Sequence, residues 1–230
     1  MIFGGWQKFS MIDFPGRASA ILFTQGCPFR CPFCHNPELI NPEQKMFAPI
    51  TEEEILEFLQ TRRGKLDGVV ITGGEPTLHN DLVDFVRKLK EMEFAVKLDT
   101  NGSRPEMLER IIRNDLLDYI AMDYKAPLGK YQAHTNSRIE AEHIRESARI
   151  IRESGVDYEF RTTVVKEQLA PEDIMQIGNE IKGAKKYVLQ KFLPGKTLNA
   201  DFANMTTYAD EEFEKFCEQL KPFVAQCLWR

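Results

Sequence analysis

Short apolar segments rich in β-branched residues alternate with helical patterns along this chain, the signature of a parallel sheet flanked by helices. Six segments read as strands: residues 18–24, 68–72, 94–99, 119–123, 156–165 and 187–193. Between the first two, Thr51 and Glu54 form a capping box ahead of Ile55, Phe58 and Leu59 on one helical face. Asn80 reads as the cap of a helix carrying Leu82, Val86 and Leu89, and Pro105 opens a third with Leu108, Ile111 and Ile112. Ile144, Ala148 and Ile151 stripe a fourth, which stops near Gly155, and Pro171 starts a fifth. A C-terminal helix places Phe213, Phe216, Cys217 and Leu220 at core spacing, so Cys217 reads as core filler rather than a ligand. The Pro15-Gly16 turn signal predicts an N-terminal hairpin or extended lead-in over residues 1–17. Residues 18–193 form the core and 194–230 a loop and helix, with 196–207, which lacks a period, expected as a surface loop near the rim of a site.

The 230 residues suffice for one large domain. Lys plus Arg number 30 against 35 Asp plus Glu, a net charge of −5 without a basic run, which argues against nucleic acid as a partner. No apolar stretch approaches the roughly 20 residues that cross a bilayer. The start Met1-Ile2-Phe3-Gly4-Gly5-Trp6 lacks the basic and apolar regions of a signal peptide, so the expected location is the cytoplasm, with no membrane partner.

Cys27, Cys31 and Cys34 follow the first strand in Gln25-Gly26-Cys27-Pro28-Phe29-Arg30-Cys31-Pro32-Phe33-Cys34-His35-Asn36-Pro37. Thiolates this close favour zinc or an iron-sulfur cluster. A structural zinc site wants four ligands and must recruit His35 or a distant cysteine; three cysteines on a cubane leave one iron open to a substrate or cofactor. Spacing alone leaves both open. Five cysteines, three of them in one loop, do not form a secreted disulfide framework, and Cys217 and Cys227 lie far from the others in sequence.

Working residues of parallel α/β folds gather at the carboxyl ends of strands, where this chain carries further motifs. In Thr72-Gly73-Gly74-Glu75-Pro76-Thr77 two glycines let backbone approach a ligand and Glu75 can accept from an ammonium, although alone this is a tight turn. Asp99-Thr100-Asn101-Gly102 and Met122-Asp123-Tyr124-Lys125 close two later strands, and each has a bland reading as a turn or a solvated rim. Arg161, in an otherwise strand-like run, either emerges at an edge or faces an anion. Together they suit a zwitterionic ligand above the cysteines.

The Cys-x3-Cys-x2-Cys spacing, the aromatic before the third cysteine and the Gly-Gly-Glu-Pro after the next strand resemble the radical S-adenosylmethionine superfamily. Phe-Thr-Gln-Gly-Cys, Cys-His-Asn-Pro-Glu and Leu-Asp-Thr-Asn-Gly resemble its glycyl-radical-enzyme activases. The lead-in Ile12-Asp13-Phe14-Pro15-Gly16 is most similar to anaerobic ribonucleoside-triphosphate reductase activating proteins.

The resemblance implies an α/β fold, an incomplete TIM-like (β/α)6 barrel with outer helices. It implies a 4Fe-4S cluster on Cys27, Cys31 and Cys34, and S-adenosylmethionine chelating the open iron. Reductive cleavage then gives methionine and a 5'-deoxyadenosyl radical that takes hydrogen from a glycine of a partner enzyme. By position, Phe33 matches the aromatic near adenine, and Gly73, Gly74, Glu75 and Pro76 the motif receiving the methionine amino group. Asp99 with Thr100, and Asp123 on the neighbouring strand, match a site where activases hold a monovalent cation beside the methionine carboxylate; Asn101 is carried over with them as cofactor-binding, and Lys125 and Arg161 match residues near that carboxylate and the ribose. Gln190 is carried over from the sixth strand, where Val188-Leu189-Gln190-Lys191-Phe192 departs from the formate-lyase activases. His35 reads as a hydrogen-bonding neighbour of the cluster. The expected electron donor is an external flavodoxin or ferredoxin. Activases of other glycyl radical enzymes such as pyruvate formate-lyase, a small-molecule enzyme of the superfamily, an iron-sulfur electron carrier and a zinc-binding module are the competing readings.

Overall fold

The computed structural model describes residues 1–41, 43 and 50–230. One eight-stranded sheet holds the strands in sequence order: β1 (Phe3–Phe14), β2 (Arg17–Thr24), β3 (Gly68–Gly73), β4 (Ala95–Thr100), β5 (Tyr119–Asp123), β6 (Asp157–Val164), β7 (Tyr187–Lys191) and β8 (Cys227–Trp229). β1 is antiparallel to β2, and each later neighbouring pair is parallel. β1 and β8 are the two edges, so the barrel is open.

The six expected strands are β2 to β7, and the lead-in is the first arm of a hairpin. β8 was not foreseen, because three residues carry no period. It is held by pairing to β7 and by Trp229, stacked on Phe213 with ring centroids 5.9 Å apart.

The helices are α1 (Glu52–Gln60), α2 (Leu82–Glu91), α3 (Pro105–Arg113), α4 (Tyr131–Thr135), α5 (Ala141–Glu153), α6 (Pro171–Glu180) and α7 (Asp210–Leu220). The capping box at Thr51 forms in both directions, Thr51 accepting from the Glu54 backbone and Glu54 from that of Thr51. The cap expected at Asn80 is corrected. Asp81 precedes α2, and its non-extended backbone (φ −90, ψ 5) leaves no side-chain cap bond. The five-residue α4, too short for a periodic signal, ends at Asn136 in the left-handed region (φ 44). The stretch expected as a surface loop contains a short 3-10 helix, Ala200–Asn204, whose Phe202 is buried against Phe33 and Phe192. Cys217 is partly buried against the core, as its spacing suggested, and accepts a thiol hydrogen bond from Cys227 at 2.7 Å.

Strand alternation sorts side chains into two cores. One face, with Leu22, Ile71, Val96, Leu98, Ile120, Met122 and Phe160, packs in the large cluster that also contains the helix stripes. The other face lines the barrel, where Phe14, Ile21, Val70, Ala95, Tyr119 and Ala121 form a separate cluster. Phe14, 2% exposed at the end of β1, plugs the amino-terminal end of the barrel against Tyr119. Further along the same face the residues are charged: Lys97 and Asp99 on β4, Asp123 on β5, Glu159 and Arg161 on β6. Phe14→Ala is expected to cost about 3 kcal/mol, the usual scale for emptying a buried phenylalanine site, read from urea unfolding.

Candidate active site

The cysteine loop leaves β2 at Thr24 and is clamped from both sides. Gly26 and Cys27 donate backbone hydrogen bonds to Leu39 and Ile40, and Gly74 and Glu75 donate theirs to Thr24 and Gly26 at 2.8 and 2.7 Å. Gly73 and Gly74 are glycines for this reason. Gly73 has φ +116, and a Cβ there would stand 2.4 Å from the Thr24 nitrogen; one on Gly74 would stand 2.2 Å from the Gly26 carbonyl oxygen. The rest of the loop hangs on its neighbours: Arg30 N donates to the Thr135 carbonyl, and Leu198 N and Asn199 N to Cys34 and Pro32. His35 hydrogen-bonds the Leu193 carbonyl at 3.0 Å and stacks on Phe192.

The loop opens onto a cavity of about 900 Å³ including its open mouth. It is lined by all three cysteines, Phe33, Gly73, Gly74, Glu75, Asp99, Thr100, Asn101, Asp123, Lys125 and Arg161. Gln190 is the exception among the expected residues. Its register places it beside Thr163, which does line the cavity, but Gln190 is not among the lining residues.

Opposite the cysteines lies a chain of ion pairs. Lys97 donates to Asp99 Oδ1, and Arg161 Nη1 to Asp99 Oδ2 at 3.1 Å. Arg161 Nε donates to Asp123 Oδ1 at 2.9 Å, and Lys125 Nζ to Asp123 Oδ2 at 3.2 Å. Burial opposes ionisation of Asp123, but Arg161 and Lys125 overcome it and hold its carboxyl down at about 2. Burial likewise works against the charge of Lys125 and of Arg161, yet Asp123 raises both above their ordinary values. A monovalent cation between Asp99 and Asp123 therefore finds every carboxylate oxygen already paired.

Glu75 is fully buried and does not offer a free carboxylate. It accepts from Thr77 N and Oγ1, from Thr100 Oγ1 at 2.7 Å and from Asn101 N at 2.6 Å, bonds that counter the upward pull of burial on its pKa. Asn101 Nδ2 in turn donates to Cys27 Sγ at 3.6 Å. Thr100 and Asn101 thus serve the scaffold and the cysteine sulfur. Sequence reasoning missed Lys97, whose signal was its place two residues before Asp99 on one face of a strand.

Residues 21–180 match the Radical SAM superfamily. The chain belongs to the radical SAM superfamily. A Methanocaldococcus jannaschii protein named as a glycyl-radical enzyme activating enzyme is 34% identical over 228 residues, covering 96% of this chain and 92% of that protein. A 7-carboxy-7-deazaguanine synthase of Thermococcus kodakarensis is 28% identical over 193 residues, 76% of this chain and 74% of that one. Among solved structures, SuiB of Streptococcus suis superposes with a TM-score of 0.64 at 16% identity, covering 91% of this chain. The chain spans about half of SuiB, 48% of its length, and shares its fold.

The three cysteines of this radical SAM chain line one cavity, with Lys125 the nearby cation. Burial pushes the Cys27 thiol up to about 12 and the Cys31 thiol to about 11, and raises Cys34, while the Lys125 charge opposes burial at all three. Among the described residues no three Cys, His, Asp or Glu side chains converge as ligands of one metal ion. Thiolates that bind separate irons need not converge on one point.

Gly74→Ala is expected to displace the cysteine loop, so that anaerobically reconstituted protein holds much less iron and sulfide while its circular dichroism is retained. Because Asp123 is ionised more readily folded than unfolded, its contribution to stability is present above pH 4 and lost as pH falls towards 2. Acid unfolding of Asp123→Asn should accordingly lose pH dependence in that window, measured by denaturant midpoints across pH.

Proposed function

We propose that this chain is a radical SAM activase that generates a glycyl radical on a partner enzyme, and that the partner is an anaerobic ribonucleoside-triphosphate reductase. The carrying observation is the juxtaposition, in one cavity, of a three-thiol loop and the Asp99–Arg161–Asp123–Lys125 chain. Likeness over nearly the whole length to a protein named as an activating enzyme supports the activase reading, and the Ile12-Asp13-Phe14-Pro15-Gly16 lead-in supports the choice of partner.

Cys27, Cys31 and Cys34 would hold the cluster, which supplies, when bound, the low-potential electron for reductive cleavage of S-adenosylmethionine. The rest of the work is positional. Arg161 and Lys125, the two cations of the chain that line the cavity, would receive a methionine carboxylate. With the Glu75 carboxylate engaged, the backbone of Gly73 and Gly74 is the group left to meet the amino end. Phe33, buried and 5.9 Å below the Lys125 ammonium, offers an apolar wall for adenine. Asn101 donates to the Cys27 sulfur, a bond that stabilises thiolate charge. Gln190, at the end of β7, would enter only from the rim. Electrons would come from a flavodoxin or ferredoxin.

Likeness to a 7-carboxy-7-deazaguanine synthase favours a second reading, an enzyme acting on a small molecule. Anaerobic incubation of the reconstituted protein with S-adenosylmethionine, a reductant and the reductase should give a glycyl radical signal in electron paramagnetic resonance. Silence with this reductase but a signal with pyruvate formate-lyase would reassign the partner; silence with every glycyl radical enzyme, alongside turnover of a deazapurine precursor, would establish the second reading. Cys31→Ala should retain the fold and lose S-adenosylmethionine cleavage altogether.

A further inference from the structure

Activases of this type are expected to hold a monovalent cation beside the methionine carboxylate, and the side chains here do not fit one. Of the four carboxylate oxygens on Asp99 and Asp123, each faces a cation of the protein: Lys97, Arg161 twice and Lys125. Thr100, the third candidate ligand, directs its hydroxyl to Glu75 at 2.7 Å. Lys97 is 2% exposed and lies behind Asp99 on the barrel-lining face of β4, so its ammonium is paired by a carboxylate rather than by water. A further cation at Asp99 would be set beside the Lys97 and Arg161 charges already on its two oxygens, and at Asp123 beside Arg161 and Lys125, so it meets like charge on every carboxylate oxygen it could approach.

We propose that Lys97 is a positioning residue whose fixed ammonium takes the place of a free monovalent cation. It neutralises one oxygen of Asp99 and holds the other towards Arg161, so that the carboxylate of S-adenosylmethionine meets Arg161 and Lys125 without any metal ion beside it. The inference rests on the reading of the cavity as an S-adenosylmethionine site. It applies to charge placement and leaves the chemistry of cleavage unchanged.

The test compares wild type, Lys97→Met and Lys97→Arg in potassium chloride and in tetramethylammonium chloride of equal ionic strength, a cation too large to enter. Binding of S-adenosylmethionine to the reconstituted protein is measured by calorimetry, and the thermal midpoint of the cluster-free protein is measured in the same salts. Wild type should bind with a Kd that differs by less than about twofold between the salts, and its midpoint should not respond to potassium. Lys97→Met should bind about tenfold more weakly in tetramethylammonium, the scale of one charge-assisted contact, and regain affinity and thermal midpoint in potassium. Lys97→Arg should behave as wild type. A wild-type Kd that tightens about tenfold or more with potassium would overturn the proposal while leaving the site reading intact, as would a Lys97→Met protein indifferent to the salt. No binding of S-adenosylmethionine by wild type in either salt would instead overturn the site reading itself. Should Lys97→Met not fold, the salt response of wild type and Lys97→Arg decides.

Discussion

Charge buried inside the barrel is the constraint on which the site depends. Withdrawing an ion from water costs several kcal/mol after relaxation, and the cost is offset when each charge finds a partner in good geometry. Lys97, Asp99, Arg161, Asp123 and Lys125 meet this condition by alternating in sign from β4 across β5 to β6, and Arg161 spans the two carboxylates through separate nitrogens. The alternation ties β4, β5 and β6 together and leaves Arg161 and Lys125 as the two cations of the chain that line the cavity.

The cysteine loop is coupled to that frame through Glu75. Its carboxylate bridges the turn after β3 to Thr100 and Asn101 at the end of β4, its own backbone N–H holds the Gly26 carbonyl, and Asn101 reaches the Cys27 sulfur. Loop, glycine turn and strand end are therefore one hydrogen-bonded unit. A buried carboxylate with four donors is rigid because losing any of them strands charge in a dry place. The rigidity matters where a cofactor and its ligand must meet at a fixed spacing.

Strand positions were legible because a parallel sheet buried on both faces writes long apolar runs, as in Val69-Val70-Ile71 and Tyr119-Ile120-Ala121-Met122. The cysteines, Asp99, Asp123 and Lys125 were legible as candidates because they follow or close those runs, and Arg161 because it is a charge inside one. Their pairing was not, since it depends on which strands adjoin and on facing parity across β4, β5 and β6. Glu75 read as a ligand for an ammonium because nothing local announces that Thr100 and Asn101, about one helix later, supply its donors. β8 and α4 escaped because elements of three and five residues take their stability from tertiary contacts and leave no period. The three thiols by spacing are consistent with both metals, and it is membership of the radical SAM superfamily that implies the iron-sulfur cluster.

One strand parity serves two ends of the barrel. On β4 the barrel-lining residues run Ala95, Lys97, Asp99, and on β5 they run Tyr119, Ala121, Asp123, apolar at the entry of the strand and charged at its exit. The apolar half, closed by Phe14, gains stability from burial that is indifferent to the ligand. Glu159 marks the transition on β6. It is held by Tyr119, Lys186 and by Arg230, the residue just beyond β8, so the last strand is tied to the inner layer beneath the site. Apolar packing and paired charge thus occupy successive layers of the same strands.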